Sequence, residues 1–219
     1  MCFIEVAICA LDCCLFVSFA HSELYPRSRY LFSYRDVTKV SKSLYRLSCA
    51  MPSIKLAQLL GRLSPSMCAG VMDWIGYGGS DYNVLVENDL TWGAVTALAA
   101  MKAYVDFRRR GFDIKAVRYE DLVARPMEIC QRLMEACGLP DSLAQDIITG
   151  MQVDSQQKTA ISRAALGQFR EPEVTRDIME SLNMLADKFG LPPVSEVCLL
   201  EGTLSEQALN SEVPAVDST

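Results

Sequence analysis

Basic side chains are concentrated in one stretch of this chain, and their most direct chemistry would be to bind an anion. Between Arg27 and Arg62 there are eight basic residues and one acid, Asp36, although the 219-residue chain carries a formal net charge of −6. The acidic remainder of the surface would repel a nucleic acid, whereas a small anion meets only the local charge. The stretch therefore predicts a small-anion site, with a solvated basic helix face as the alternative. The basic residues are Arg27, Arg29, Arg35, Lys39, Lys42, Arg46, Lys55 and Arg62.

A strand followed by a helix is predicted to position this stretch. Residues 30–34 (YLFSY) form a short apolar, aromatic run that is typical of a buried strand. Apolar residues then recur at helical spacing over residues 37–47, and Pro52 limits the helix. Arg35 is thus expected where the strand gives way to the helix.

The rest of the chain alternates strands with long helices, which predicts an α/β fold with a parallel sheet flanked by helices. A single domain of this size can bury a sufficient core without disulfides or metals. In chain order, the other predicted elements are a helix over 53–63, mostly loop over 64–87, a long helix over 89–110 with Asn88 or Asp89 as its N-cap, a strand over 114–119, a helix from Pro126 that Gly138 stops, and helices from about Asp141 and from Pro172.

The two ends of the chain differ from its middle. The first twenty residues are apolar, but Glu5 and Asp12 interrupt them, and they are too short to span a bilayer. A buried strand or helix is the simplest interpretation, with a weak anchor or an artificial start of the reading frame as alternatives.

From Glu201 onward there are four acids and no bases, which predicts a disordered tail. The predicted divisions are an atypical apolar leader over 1–23, a domain over 24–198 and a disordered acidic tail over 199–219.

Nine cysteines and a single histidine, His21, make a metal site improbable because no CxxC pair is present. We expect reduced, mostly buried thiols, which favours a cytoplasmic location. The Golgi lumen is the alternative if a longer amino terminus exists.

The sequence does not define an oligomeric state, and neither a membrane nor a nucleic acid is an expected partner.

Two segments resemble motifs of the sulfotransferase family. The segment LYPRSRYLFSYRDVTKVSKSLYRL (24–47) is similar to the part of that family that binds the 3′-phosphate of the sulfate donor PAPS (3′-phosphoadenosine 5′-phosphosulfate). The segment VRYEDLVARPMEICQRLMEACGLP (117–140) resembles its strand ending in Tyr-Glu-Asp-Leu, followed by a helix and a Gly-Leu-Pro stop. The resemblance extends over residues 24 to about 190. It implies a P-loop NTPase-like sulfotransferase fold that is incomplete at its amino end, PAPS as co-substrate and no metal.

The resemblance also implies four donor-binding residues. Arg35 and Ser43 correspond to the arginine and serine that share the 3′-phosphate, helped by amides at the helix start, which requires a turn over residues 36–38. Tyr119 corresponds to a tyrosine near the adenine, and Arg163 to a further phosphate contact from a basic loop. The alternatives are a salt bridge of Arg35 with Asp36 or a neighbouring acid, an ordinary surface position for Ser43, and core packing for Tyr119.

The phosphosulfate-binding part of the family pattern is not visible. The first glycine is Gly61, so no Lys-Ser-Gly-Thr-Thr-like loop precedes Arg35. His21 does not match the family's catalytic position. The glycines of GYGGSDY (76–82) are interpreted as part of a loop. Glu120 and Asp121 are interpreted as structural residues. The catalytic residues are therefore unassigned, and the first strand of the family sheet is expected to be absent.

The function implied is transfer of a sulfuryl group from PAPS to a hydroxyl or amine of a small-molecule or glycan acceptor, with weak or no turnover. One alternative is a truncated representation of an active enzyme, and another is a non-catalytic nucleotide- or protein-binding derivative. A further alternative is a helical interaction module that uses the faces of 89–110 and 172–189.

Overall fold

In the part of the chain that the structure describes, a three-stranded parallel sheet forms the centre of an otherwise mostly helical α/β fold. The computed structural model describes residues 6–10, 29–74, 86–151 and 162–205. The strands are β1 (Val6–Ala10), β2 (Arg29–Tyr34) and β3 (Ile114–Arg118), with β2 in the middle. In the register of the two pairings, Tyr30 lies opposite Ala7 on one side and Ile114 on the other.

Strand β2 carries apolar side chains on both faces because both faces are covered. Phe32 lies on one face, where its ring stacks on that of Tyr104 with 4.8 Å between centroids. Leu31 lies on the other face and packs in a second cluster with Val117 and Ile129. A parallel sheet between two helical layers needs this double burial, so the predicted α/β class with helices on a parallel sheet is confirmed.

Most helices lie where the sequence places them. The helix after Arg35, the long central helix and the helix closed by Gly138 all match their predicted positions. The helices are α1 (Val37–Ala50), α2 (Pro52–Leu63), α3 (Pro65–Trp74), α4 (Asp89–Arg109), α5 (Tyr119–Ala124), α6 (Pro126–Cys137), α7 (Leu143–Met151), α8 (Arg163–Gly167) and α9 (Arg176–Lys188).

Helix α4 is largely buried, and α1 packs against it. Asn88 caps it, with the Asn88 side chain accepting the Thr91 N–H and the Thr91 hydroxyl accepting the Asn88 N–H. Its second turn contains Gly93, where an added Cβ would lie 2.6 Å from the Cα of Ser41 in α1. Only a glycine permits the two helices to approach this closely, and the approach fixes the position of α1 relative to the sheet.

Two predicted boundaries in the helical part are wrong. Residues 65–74 form α3 rather than loop, because the Ser64 hydroxyl accepts the N–H of Met67 and Pro65 suits the first position of a helix. The last helix begins at Arg176 rather than at Pro172, because the Thr175 side chain caps it by accepting the N–H of Ile178. Residues 75–85, the rest of the predicted loop, lie outside the described part of the chain.

The predicted disordered tail is wrong for residues 199–205. The Ala116 N–H donates to the Gly202 carbonyl at 3.1 Å, and the Leu204 N–H donates to the Ala116 carbonyl at 2.9 Å, so the segment adds a bridge to the open edge of β3. Thr203 is fully buried there. Burial of apolar and hydrogen-bonded groups outweighs the polar composition that suggested disorder. Residues 206–219 lie outside the described residues.

The apolar leader contains β1, which agrees with the strand alternative for its first part. A parallel strand therefore lies beside β2. The expectation that the first strand of the family sheet is absent stays a prediction. Residues 11–28, which follow β1 and contain His21, are outside the described ranges. Among the helices of the described ranges, none is both long and apolar enough to cross a membrane.

Candidate functional site

Two strands end side by side at the carboxyl edge of the sheet and bring two of the four predicted site residues, Arg35 and Tyr119, together there. Strand β2 ends at Tyr34 and is followed by Arg35, while β3 ends at Arg118 and is followed by Tyr119. The guanidinium of Arg35 lies 5.1 Å from the centroid of the Tyr119 ring. This distance is that of a cation–π contact. Arg35 and Tyr119 are thus neighbours at this edge.

The carboxylate of Glu120 lies at the centre of this edge. Its Oε1 atom is 3.6 Å from Nε of Arg35 and 3.5 Å from Nζ of Lys39, and its Oε2 atom is 3.7 Å from Nε of Arg118. The backbone N–H of Asp36 donates to the same carboxylate at 3.2 Å. One mostly buried acid therefore holds cations from β2, α1 and β3 in one place.

Asp36 is the N-cap of α1 and uses the free amides of its first turn. Its Oδ1 atom accepts the N–H of Thr38 at 2.9 Å and the N–H of Lys39 at 3.2 Å. These two amides are therefore already paired with a carboxylate of the chain. The expectation that amides at the helix start add to anion binding is thus weakened, and side chains must provide most of the donors.

Arg35 keeps donors for a ligand. Its acidic partner is Glu120 rather than Asp36, and this contact uses the Nε side of the guanidinium. Within the described ranges, no hydrogen bond is made by its two terminal nitrogens, and the side chain is 35% exposed. A guanidinium with two free terminal nitrogens offers a planar fork that fits phosphate oxygens.

Ser43 lies in α1, two turns after its start, and is half-buried. It stands one turn beyond Lys39 on the same face of the helix. The helix is continuous from Val37, so the turn that the sequence expects over residues 36–38 is confined to the N-cap. No hydrogen bond joins Arg35 to Ser43 in the described structure, and a ligand would have to bridge them.

Arg163 begins α8, and this short helix contacts α1. The Ser162 side chain caps it by accepting the Ala165 N–H at 3.2 Å. Nζ of Lys42 lies 3.6 Å from Oε1 of Glu171, which adds a contact between α1 and the segment after α8. The backbone of Arg163 is thus placed beside the helix that carries Ser43, while its side chain is outside the described structure.

A small cleft with a cavity volume of about 20 Å³ lies against Arg35 on the α4 side of the sheet edge. Its lining includes Tyr34 and Cys198. Burial raises the pKa of the Cys198 thiol, so this thiol is protonated and a poor nucleophile at neutral pH. Burial likewise raises the pKa of the Tyr34 hydroxyl, against hydrogen bonds from Thr203 and the Leu200 N–H that lower it. Neither group is activated for catalysis.

The sequence did not single out Lys39 and Arg118, and it treated Glu120 as structural. The charged run Arg-Tyr-Glu-Asp at the end of a predicted strand was the available signal for Arg118 and Glu120. Lys39 gave no signal beyond its place in the basic stretch. Their convergence depends on the pairing of β2 with β3, which a single sequence does not reveal.

A metal centre was not expected, and the described residues contain no group of three or more His, Cys, Asp or Glu side chains arranged to hold a metal. The predicted donor site instead has two arginines, a serine and a tyrosine, which are groups suited to a phosphate and an aromatic base. Comparison with protein-family models, with curated proteins and with solved structures finds no match for this chain.

Proposed function

We propose that this chain is a sulfotransferase-like domain that binds the 3′-phosphate of PAPS, or of its product adenosine 3′,5′-bisphosphate, at the carboxyl edge of the sheet. In this proposal the fold is the P-loop NTPase-like fold of that family. Arg35 binds the phosphate with Ser43, Tyr119 contacts the adenine, and Arg163 adds a contact from the side of α8.

The observation that carries the proposal is the position of the Arg35 guanidinium. It lies at the carboxyl ends of two adjacent parallel strands, over the Tyr119 ring, with its terminal nitrogens free among the described residues. Open α/β sheets bind their ligands outside the carboxyl ends of the strands. An arginine fork beside an aromatic ring suits a ligand that joins a phosphate to a flat base.

The reaction proposed is transfer of the sulfuryl group of PAPS to a hydroxyl or amine of a small-molecule or glycan acceptor. The sulfur–oxygen bond to the donor phosphate breaks as the bond to the acceptor oxygen or nitrogen forms, and the acceptor loses a proton. The sequence contains no Lys-Ser-Gly-Thr-Thr-like loop before Arg35 to stabilise the leaving phosphate. We therefore propose donor binding with weak or no turnover.

A non-catalytic nucleotide-binding derivative of the fold is the second candidate. It is favoured by the cleft beside Arg35, whose Tyr34 and Cys198 both have pKa values raised by burial. A site of this kind retains the phosphate-binding side chains, and neither Tyr34 nor Cys198 is activated as a base or nucleophile.

Calorimetric titration tests the proposal. Adenosine 3′,5′-bisphosphate should bind the 219-residue chain at least about tenfold more tightly than adenosine 5′-monophosphate, because only the first ligand carries the phosphate that Arg35 would bind. Equal affinity for the two nucleotides, or no binding of either, would remove the basis of the proposal.

A further inference from the structure

The first turn of α1 offers a second cation beside Arg35. Nζ of Lys39 lies 3.5 Å from Oε1 of Glu120, and Nε of Arg35 lies 3.6 Å from the same oxygen. The Lys39 side chain is 51% exposed, so a ligand in solvent can reach it. Two cations that share one carboxylate oxygen are close enough to share the oxygens of one phosphate.

Side-chain cations matter here because three backbone donors at the start of α1 are occupied. Asp36 accepts the N–H groups of Thr38 and Lys39, and the N–H of Asp36 itself donates to Glu120. A phosphate at this edge would find none of these three amides free. A lone arginine would then face the two charges of a phosphate monoester, and a neighbouring ammonium group supplies the second positive charge.

In α1, Lys39 lies between the end of β2, where Arg35 is, and the position of Ser43. Lys39 precedes Ser43 by one turn, so their side chains project from the same face of α1. Lys42 differs, since its Nζ is 3.6 Å from Glu171 in the segment after α8. The two lysines of this helix therefore have different partners, and only Lys39 shares the carboxylate that contacts Arg35.

We propose that Lys39 is a direct ligand of the same phosphate as Arg35, and that Glu120 is a positioning residue whose carboxylate presents the two cations together. This inference rests on the proposed nucleotide function and adds residues that the family resemblance does not assign. When the phosphate binds, the terminal nitrogens of Arg35 and the ammonium of Lys39 turn toward it. Glu120 keeps its contacts with Arg118 and with the Asp36 N–H.

The test compares Lys39→Gln with Lys42→Gln by calorimetric titration with adenosine 3′,5′-bisphosphate. Lys39→Gln should weaken binding about tenfold, because a charge-assisted hydrogen bond to the phosphate is lost. Lys42→Gln removes an equal charge from the same helix and should change the affinity less than about twofold. If both variants lose the same affinity, the effect is one of net charge and the direct contact is wrong.

Glu120→Gln tests the positioning role separately. Removing a negative charge next to an anion site would tighten binding by electrostatics alone, whereas loss of the group that presents Arg35 and Lys39 should weaken binding about threefold. Tighter binding would overturn the positioning role. The wild-type titration separates failure of the proposed function from failure of this inference. If the wild type binds no nucleotide, the proposed function and this inference are both overturned. If the wild type binds and the Lys39→Gln variant binds equally well, only this inference is overturned.

Discussion

The guanidinium of Arg35 lies over the ring of Tyr119, 5.1 Å from its centroid, and this contact joins the end of β2 to the start of α5. The two residues are distant in sequence and meet only because β2 and β3 are parallel neighbours. Glu120, the residue after Tyr119, holds the Nε side of the same guanidinium. The terminal nitrogens of Arg35, which have no hydrogen-bond partner among the described residues, are thereby held at the edge of the sheet.

Replacement of Tyr119 should affect ligand binding more than folding. Its ring is 36% exposed, so Tyr119→Ala should change the free energy of unfolding little. In the proposal the ring contacts the adenine, and stacking of a base on an aromatic ring contributes about 1–3 kcal/mol, which predicts at least roughly fivefold weaker binding of adenosine 3′,5′-bisphosphate. Tyr119→Phe keeps the ring and should bind as the wild type does. Calorimetry on the two variants checks this, and equal losses would show that the hydroxyl matters instead of the ring.

Two glycine substitutions should have opposite effects on stability. In Gly93→Ala the new methyl group would lie 2.6 Å from the backbone of Ser41, so α1 must move away from α4 at a cost of about 1–3 kcal/mol. In Gly70→Ala nothing lies within 4 Å of the new group, and the helical position should gain about 0.5–1 kcal/mol. Urea unfolding of the two variants measures both changes. A stable Gly93→Ala variant would contradict the close approach of these helices.

Stability should fall above pH 10 because two buried tyrosines resist ionisation. Burial raises the pKa of Tyr104 to about 12 and also raises that of Tyr34, from an ordinary value of 10.0. The stabilisation is fully present below pH 10 and is lost as the pH rises toward 12, since the unfolded chain releases protons that the folded chain retains. Urea unfolding across this range should show a shallower pH dependence for Tyr104→Phe than for the wild type. If stability falls equally steeply with pH in both proteins, the pKa of Tyr104 is not raised as stated.

Catalysis by the 219-residue chain should be slow or absent. The sequence before Arg35 lacks the phosphosulfate loop motif, and electrostatic stabilisation of the leaving group is usually the largest contribution to such a rate. A multiple-turnover assay with labelled PAPS and simple phenol, alcohol and amine acceptors measures this. Turnover above about 1 s⁻¹ would be ordinary for an enzyme and would contradict the expectation.

Local signals in the sequence were sufficient for the elements around the site. The apolar run of β2, the helical spacing in α1 and the glycine after α6 each follow from near neighbours in the chain. Gly138 ends α6 in the left-handed conformation, with φ of 67°, which glycine adopts without strain. Arg35 could therefore be placed at the strand–helix junction from sequence alone.

Features that depend on distant residues could not be predicted in the same way. The segment around Thr203 is polar and short, and contacts with distant residues give it an ordered place. They include pairing with β3 and the Tyr34 hydroxyl, 3.0 Å from the Thr203 hydroxyl. The role of Glu120 likewise depends on cations from three elements. Helix α3 was missed for a different reason. Ser64 and Pro65 are a local signal for the start of a helix, but the neighbouring glycines led to the prediction of a loop.

The most direct test of phosphate binding at the sheet edge is a calorimetric titration of adenosine 3′,5′-bisphosphate into wild type, Arg35→Ala and Arg176→Ala. Arg176 is an arginine of α9 whose side chain is 90% exposed and paired with Glu180, so its loss is a matched control for charge. Arg35→Ala should weaken binding roughly ten- to a hundredfold, while Arg176→Ala should bind as the wild type does. Wild-type affinity in Arg35→Ala would contradict the account.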